Sequence, residues 1–143
     1  MGTISATRIR FARRSDLPYL ETERRGIPRD RLERKITGRE FIVAERAGGL
    51  VGILDLEFVQ PEEPYMSLIR VDAKHRREGI GTALLAFAEE HLRGLGFRTL
   101  YTSSQADEPE PQAWHRRSGF EPCGRLTDFN GDGVDEVFFR KRL

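Results

Sequence analysis

The chain has 143 residues, a length that is most simply one domain, residues 1–143, able to bury about 70% of the surface of its unfolded chain. A formal net charge of +1 gives no overall attraction to nucleic acid or to a membrane, and the apolar runs are too short to span a bilayer. Because the single cysteine, Cys123, cannot form an internal disulfide and no secretory segment opens the chain, we expect a cytoplasmic protein kept soluble by its 33% of charged residues.

The first half of the chain predicts two short helices followed by three strands. Asp16 is a suitable N-cap for a helix that runs to about Arg25, and Pro28 opens a second helix that runs to Lys35. Gly48-Gly49 is a hairpin signal between the first two of the three strands. These strands are expected at about 41–46, 50–60 and 65–72.

The second half predicts a helix, a strand, a second helix and a final pair of strands. After Gly81, apolar side chains recur at spacings of three and four, which indicates an amphipathic helix. They are Leu84, Phe87, Ala88, Leu92 and Leu95. Pro109 opens the next helix, which carries Trp114 and His115. The remaining strands are expected at about 99–105, 121–127 and 134–141.

The stretch Arg76–Thr82 joins a predicted strand to a predicted helix and is the most informative part of the sequence. A basic turn leads into Gly79 and Gly81, so cationic side chains and glycines meet at one helix N-terminus. Such an end exposes unpaired N–H groups and carries roughly half a positive charge, and glycines let a ligand approach the backbone. The stretch therefore predicts a site for a diphosphate.

Three kinds of diphosphate site compete for this pattern. A P-loop requires Gly-x-x-x-x-Gly-Lys-Ser/Thr, which the sequence lacks. A dinucleotide fingerprint requires Gly-x-Gly-x-x-Gly directly after a strand, whereas Leu84 stands at the third glycine position and a basic turn intervenes. The remaining pattern, Arg76-x-x-Gly79-x-Gly81, resembles motif A of the Gcn5-related N-acetyltransferases (GNAT), whose loop holds the pyrophosphate of acetyl-coenzyme A.

The resemblance covers most of the chain. Residues 9–18 resemble the family's opening strand and its turn into the first helix, and residues 41–45 and 50–54 resemble its second and third strands. Residues 114–120 resemble the family's late helix, which ends in Gly-Phe. At the position where the family usually has a tyrosine, this chain has His115.

The resemblance implies both a fold and an activity. The fold is α/β (α+β), with a mixed, mostly antiparallel central sheet of about seven strands flanked by about four helices in the order βααβββαβαββ. The activity is that of an N-acetyltransferase, which moves an acetyl group from acetyl-CoA to a primary amine by direct attack in a ternary complex. The residues that would hold the pantetheine arm and the phosphates are Ile69, Arg70, Val71, Arg76, Arg77, Gly79, Ile80, Gly81 and Thr82.

Acetyl transfer also needs a proton donor to the departing thiolate and a route for the amine proton. By resemblance, His115 stands where the donor tyrosine would be, and its unperturbed pKa near 6.5 suits a general acid. The alternative is a histidine on the helix surface that only packs.

Glu57 is the candidate general base, acting through water, because it lies with Tyr65 and Ser67 on strands that line the family's acceptor site. The alternation around Glu57 equally describes the polar side of a half-buried strand. Ser103 and Ser104 end a later strand, where Ser104 is expected to contact the coenzyme or the acceptor.

Two further patterns have simpler interpretations. Asp128–Gly133 matches the start of an EF-hand loop, but Phe139 replaces the bidentate glutamate at the twelfth position. A turn between the last two strands is the simpler interpretation, so we expect no metal. Cys123 is expected to be a small apolar core residue rather than a nucleophile.

Two other functional classes stay open: a non-catalytic acyl-CoA-binding sensor or regulatory domain, and, less consistent with the motif, a dinucleotide-binding module. Thiol release on adding amines separates an enzyme from a sensor. The acceptor is expected to be a small-molecule or peptide amine, with no nucleic-acid or membrane partner. Its identity depends on loops near 19–40, 59–65 and 125–136, and a homodimer is compatible with the sequence.

Overall fold

A computed structural model describes residues 6–143, and within that range the chain forms strands and helices in the predicted order. The strands are β1 Arg8–Phe11, β2 Phe41–Arg46, β3 Gly49–Val59, β4 Glu63–Val71, β5 Thr99–Gln105, β6 Glu121–Leu126 and β7 Glu136–Arg142. The helices are α1 Leu17–Glu23, α2 Arg29–Thr37, α3 Ile80–Gly94 and α4 Pro109–Arg117. None of these helices is long and apolar enough to cross a membrane.

The strands form a seven-stranded sheet in the order β1-β2-β3-β4-β5-β7-β6. The pairs β1–β2, β2–β3, β5–β7 and β6–β7 are antiparallel, whereas β4 and β5 are parallel. Parallel neighbours need a crossover connection, and α3 lies in the connection between β4 and β5. The mixed, mostly antiparallel sheet predicted from the sequence is therefore confirmed.

The described chain divides into two compact units, of which the first comprises the residues up to Leu56 together with Leu68–Ala88. Its core is formed by side chains from α1, α2, β2 and β3 and from the segment that follows β1. They are Ala12, Leu17, Leu20, Leu32, Phe41, Val43 and Ile53. The apolar spacing of the two short helices buries Leu20 and Leu32 almost completely, which secures both helices to the sheet.

The second unit comprises Glu57–Ser67 and Glu89–Leu143. Residues Met66, Leu92, Leu100, Phe120 and Phe139 are buried in it. Because side chains alternate along a strand, the β5–β7 ladder places two sets of residues on opposite faces of the sheet. One face carries Tyr101, Ser103, Glu136 and Phe138, and the other carries Thr102 and Phe139.

Several local predictions need correction. Arg46 pairs with Gly49, so the hairpin turn is Ala47-Gly48 and not Gly48-Gly49; both turn residues have positive φ, 50° and 79°, as a type I′ turn requires. Leu95 lies beyond the end of α3 and is 59% exposed, so it does not continue the apolar stripe. Cys123 is exposed and not a core residue, because β6 is an edge strand whose residues are all exposed.

Candidate functional site

The loop between β4 and α3 contains two residues with positive φ just before the helix begins. A 3-10 turn, Ala73–His75, follows β4, and the N–H of Asp72 donates to the carbonyl of Val51 at 2.9 Å. Arg77 and Gly79 then adopt positive φ, 64° and 81°. At Gly79 a Cβ would meet no atom within 4 Å, so it is the backbone conformation and not a lack of space that favours glycine there.

The first N–H groups of helix α3 have no acceptor within the helix. The N–H of Ala83 donates to the carbonyl of Gly79 at 3.0 Å, which closes the first turn. The N–H groups of Ile80, Gly81 and Thr82 therefore precede the helical hydrogen-bond ladder. Together with the helix dipole, these groups can bind an anion at the end of α3.

The basic side chains of the loop are disposed in two ways. Arg76 and Arg77 are exposed, and Nε of Arg76 donates to the carbonyl of Val71 at 3.2 Å, which holds this guanidinium beside the end of β4. By contrast, Glu78 accepts a hydrogen bond from Arg46 of β2, with Nη1 to Oε2 at 2.8 Å. Glu78 therefore pairs with Arg46 of β2, and the exposed cationic side chains of the loop are Lys74, Arg76 and Arg77.

The predicted pantetheine-binding residues lie at the end of β4. The parallel ladder to β5 joins Tyr65 and Met66 to their partners, whereas Ile69–Val71 lie further along the strand. Arg70 is exposed and its Nη1 lies 3.5 Å from Oε2 of Glu23. The Arg70 side chain is therefore engaged with α1.

His115 is buried in α4 and not on the helix surface. Its ring lies 5.2 Å from the ring of Phe139 and 5.8 Å from that of Phe120, and Nδ1 has no hydrogen-bond partner among the described residues. Burial lowers the pKa of His115 to about 4, although the negative charge of Glu136 acts in the opposite direction. The imidazole is therefore neutral at physiological pH, so any proton it donates comes from the neutral ring.

The other candidate residues of β3 and β5 differ in their surroundings. Glu57 is half-buried. Ser104 is buried, and its Oγ has no hydrogen-bond partner within the described range. Ser103 lies 2.5 Å from the hydroxyl of Tyr65, and its own hydroxyl donates to Oε2 of Glu136 at 2.5 Å.

Glu136 was missed by the sequence analysis, although it is a buried carboxylate. A glutamate beside Val137, Phe138 and Phe139 at the start of an apolar strand was the available signal. The register that pairs Gln105 with Glu136 brings this carboxylate to Ser103, and a register across strands is not visible in one sequence.

In the acidic turn before β7, the carboxylate oxygens of Asp128 and Asp135 accept hydrogen bonds from nearby residues of the same chain segment. Oδ1 of Asp128 accepts the N–H of Gly133 at 2.6 Å, and Asp135 accepts the N–H of Asp128 at 2.8 Å and pairs with Arg125 at 2.6 Å. These bonds lower the pKa of Asp135, first through the Asp128 N–H and then through Arg125. Over residues 6–143 no cluster of three or more His, Cys, Asp or Glu residues is placed to hold a metal.

Comparisons with known proteins place this site in context. The family model described as the acetyltransferase (GNAT) family matches residues 8–120. An amino-acid acetyltransferase of Pseudomonas paraeruginosa is 32% identical over 118 residues. That match covers 77% of this chain and 26% of the relative, so the chain spans about a quarter of the relative's length.

Solved structures of other proteins have the same fold as this chain over nearly its whole length. A ribosomal-protein-alanine N-acetyltransferase of Brucella melitensis has a TM-score of 0.80 at 26% identity, covering 94% of this chain and 99% of that one. Ard1 of Thermoplasma volcanium has a TM-score of 0.82 at 20% identity, covering 96% and 98%, which shows the shared fold. The family model and the loop geometry together show that this chain belongs to the GNAT family of acetyltransferases.

Proposed function

We propose that this acetyltransferase moves the acetyl group of acetyl-CoA to a primary amine by direct attack in a ternary complex. The observation that carries the proposal is the loop between β4 and α3, where exposed Arg76 and Arg77 lie beside N–H groups that precede the helical ladder. The GNAT family uses acetyl-CoA. Charge-assisted bonds from the two guanidinium groups would add to the attraction of the helix end.

The coenzyme would contact the chain through both backbone and side chains. The end of β4 would pair with the pantetheine arm, and the loop and first turn of α3 would hold the pyrophosphate. The proposed contacts are Ile69, Arg70, Val71, Arg76, Arg77, Gly79, Ile80, Gly81, Thr82 and Ser104. Ser104 has the chemistry for such a contact, because its buried hydroxyl lacks a partner in the described structure.

We also propose His115 as proton donor and Glu57 as a base. His115 would donate the N–H of its neutral ring, because its pKa of about 4 leaves almost no imidazolium near pH 7. Its other ring nitrogen would take a proton from water in the same step, so that the ring stays neutral and no imidazolate forms. The activity should then rise with pH as the amine loses its proton, with no loss of a protonated histidine above pH 7. Glu57, through water, would take the proton that the nitrogen loses after attack.

Substitution of His115 tests the donor role. His115→Phe should lower kcat by roughly 10²-fold while coenzyme affinity is retained, because one acid or base contributes on that scale. His115→Tyr restores the hydroxyl of the usual family residue and should keep substantial activity. If His115→Phe turns over at the parent rate on the true acceptor, water is the proton source and the donor role is wrong.

The acceptor class follows from chemistry and from the names of the relatives. Those names, amino-acid acetyltransferase and ribosomal-protein-alanine N-acetyltransferase, favour an amino acid or a protein as the acceptor. The decisive experiment offers acetyl-CoA with amino acids, peptides, small amines and aminoglycosides, and measures thiol release and acetylated product by mass spectrometry. We expect turnover with at least one class. Tight acetyl-CoA binding without turnover on any amine would instead indicate a non-catalytic acyl-CoA sensor.

A further inference from the structure

The loop that joins β4 to α3 is connected to β2 by a charged pair. Nη1 of Arg46, the last residue of β2, donates to Oε2 of Glu78 at 2.8 Å. Nε and Nη2 of the same guanidinium donate to Oγ1 of Thr7 at 3.2 and 2.9 Å, and Nδ1 of His75 lies 3.3 Å from Nη1. Arg46 therefore contacts the segment before β1 through Nε and Nη2, and the loop through Nη1.

The position of Arg46 is set by the sheet. Its backbone pairs with Gly49 in the β2–β3 ladder, next to the hairpin turn, and its side chain is only 18% exposed. A planar guanidinium whose three nitrogens all donate hydrogen bonds is fixed in orientation. Arg46 is therefore a rigid point from which the loop can be held.

Glu78 lies between the two residues of the loop that have positive φ. Arg77 has a φ of 64° and Gly79 one of 81°. A left-handed conformation is unfavourable for arginine, so it persists only where the surrounding structure determines it. The stretch 76–79 contacts another strand through Glu78, whereas Nε of Arg76 donates back to Val71 of β4 at 3.2 Å. The contact of Glu78 therefore supports the strained backbone at the point where α3 begins.

Glu78 is also a carboxylate within a loop that is proposed to bind a diphosphate. Like charges repel, so a free carboxylate beside the N–H groups of residues 80–82 would weaken the attraction of this site for phosphates. In the structure, Oε2 of Glu78 accepts a hydrogen bond from Arg46 and lies 3.3 Å from Nδ1 of His75. The positive charge of Arg46 therefore compensates a negative charge that opposes binding of an anion.

We propose that Arg46 is a positioning residue for the coenzyme loop. By pairing with Glu78 it keeps the backbone around Arg77 and Gly79 in the conformation from which α3 presents its first N–H groups, and it compensates the carboxylate beside the pyrophosphate. The inference rests on the proposed function and extends it to a residue of β2 that acts through Glu78.

Calorimetric titration of acetyl-CoA into two variants of Arg46 measures this role. Arg46→Ala should lower the affinity by roughly 10-fold, which is within the range for groups coupled to a binding site. Arg46→Lys keeps a cation within reach of Glu78 and should recover part of the loss. Arg93→Ala is the control, because Arg93 forms an exposed ion pair with Glu90 at the other end of α3, and it should bind as the parent does. An Arg46→Ala protein with the parent affinity would overturn the proposal.

A double-mutant cycle shows whether Arg46 acts through Glu78. In a Glu78→Ala background the loop partner of Arg46 is gone, so the further change Arg46→Ala should alter the affinity for acetyl-CoA by less than about 2-fold. Glu78 has an exposed side chain, so Glu78→Ala is expected to fold even if Arg46→Ala alone does not. An equal loss in both backgrounds would show that Arg46 acts independently of Glu78, contrary to the proposal.

A comparison of CoA with dephospho-CoA locates the effect on the coenzyme. Dephospho-CoA keeps the pyrophosphate and lacks the 3′-phosphate. Because the loop is proposed to hold the pyrophosphate, Arg46→Ala should weaken the binding of both molecules by the same factor. A loss seen with CoA alone would assign the effect to the 3′-phosphate and contradict the proposed role.

Hydrogen exchange of the free protein separates this inference from the proposed function. The N–H groups of His75 and Ala83 are hydrogen-bonded within the loop and the first turn of α3, at 2.9 and 3.0 Å, so their exchange reports the opening of the loop. Both amides should exchange faster in Arg46→Ala, whereas the amide of Leu95, bonded at the other end of α3, should not change.

The two measurements together assign any failure. If the parent does not bind acetyl-CoA but both loop amides exchange faster in Arg46→Ala, the proposed coenzyme site is wrong while the role of Arg46 in the loop holds. If the parent binds acetyl-CoA and the exchange of both amides is the same in Arg46→Ala, the positioning role is wrong while the coenzyme site holds.

Discussion

At the scale of single residues, His115 shows how burial determines the chemistry of a position. The ring is packed among Phe120, Phe139 and Trp114, at centroid distances between 5.2 and 5.9 Å, and burial lowers its pKa to about 4. Burial away from water favours the uncharged ring over imidazolium. A tyrosine and a neutral histidine are then alike in presenting a proton without carrying a charge.

The lowered pKa of His115 predicts a pH-dependent stability. In the unfolded chain His115 would take up a proton near pH 6.5, whereas in the folded chain it does so near pH 4. The unfolded state therefore binds more protons between these values, and the folded state loses stability as pH falls from about 6.5 towards 4. The full loss amounts to about 3 kcal/mol.

Denaturant unfolding of the parent and of His115→Phe at pH 7 and pH 4.5 measures this effect. The free energy of unfolding should fall more steeply with acid in the parent, because the variant has no imidazole to protonate. Equal slopes for the parent and His115→Phe would show that the histidine is not desolvated.

Residue identities near the loop were predictable, and those around Glu136 were not. Gly79 and the basic turn are visible in the sequence because glycine and arginine favour a helix N-terminus for local reasons. Glycine adopts positive φ easily, and a cationic side chain adds to the attraction of the helix end for an anion. Glu136 acquires its role from Ser103, far away in the chain, through the register of β5 and β7. The chemistry of such a pair depends on tertiary pairing, which leaves no local signal.

At the scale of elements, a buried ion-pair cluster joins α2 to β3. Asp55 is fully buried and its Oδ1 lies 2.9 Å from Nζ of Lys35, which also donates to the carbonyl of Leu56 at 2.9 Å. Arg24, after the end of α1, contacts Oδ2 of Asp55 at 2.8 Å. Removing one member of such a group leaves the others buried with an altered charge balance.

We predict that Asp55→Ala lowers the free energy of unfolding by about 3 kcal/mol, the lower end of the range for breaking a buried pair. Asp30→Ala is the control, because Asp30 and Arg34 form an exposed pair within α2, a kind of pair worth less than about 1 kcal/mol. Chemical denaturation of both variants measures the difference. Losses of the same size would mean that the buried cluster adds nothing beyond a surface pair.

The first and last residues of a strand or helix were predicted closely where the local sequence determines them. The strands β2 and β5 begin and end at the predicted residues, 41–46 and 99–105. Differences arise where a turn competes with a strand. The start of β7 was predicted at 134, but the turn bonds of Asn130 to Val134 and of Gly131 to Asp128 delay it to Glu136.

At the scale of the whole molecule, the family and its fold follow from motifs distributed along the sequence. The loop glycines, the hairpin and the late helix each agree with the same architecture, and this agreement across local signals is what makes a fold predictable from one sequence. The single-domain organisation of residues 1–143, the cytoplasmic location and the acceptor stay predictions. A loop that recognises a substrate has no periodicity, so the acceptor is the part that sequence predicts least.

The most direct test of the account is a calorimetric titration of acetyl-CoA into the parent protein and two variants. Gly81→Leu places a bulky side chain in the first turn of α3, where the pyrophosphate is proposed to lie, and Gly94→Leu places the same side chain at the other end of that helix, where a Cβ meets no atom within 4 Å. We predict that the parent and Gly94→Leu bind acetyl-CoA alike and that Gly81→Leu loses at least 10-fold in affinity, about 1.4 kcal/mol. Unchanged affinity in a folded Gly81→Leu protein would contradict the proposed coenzyme site.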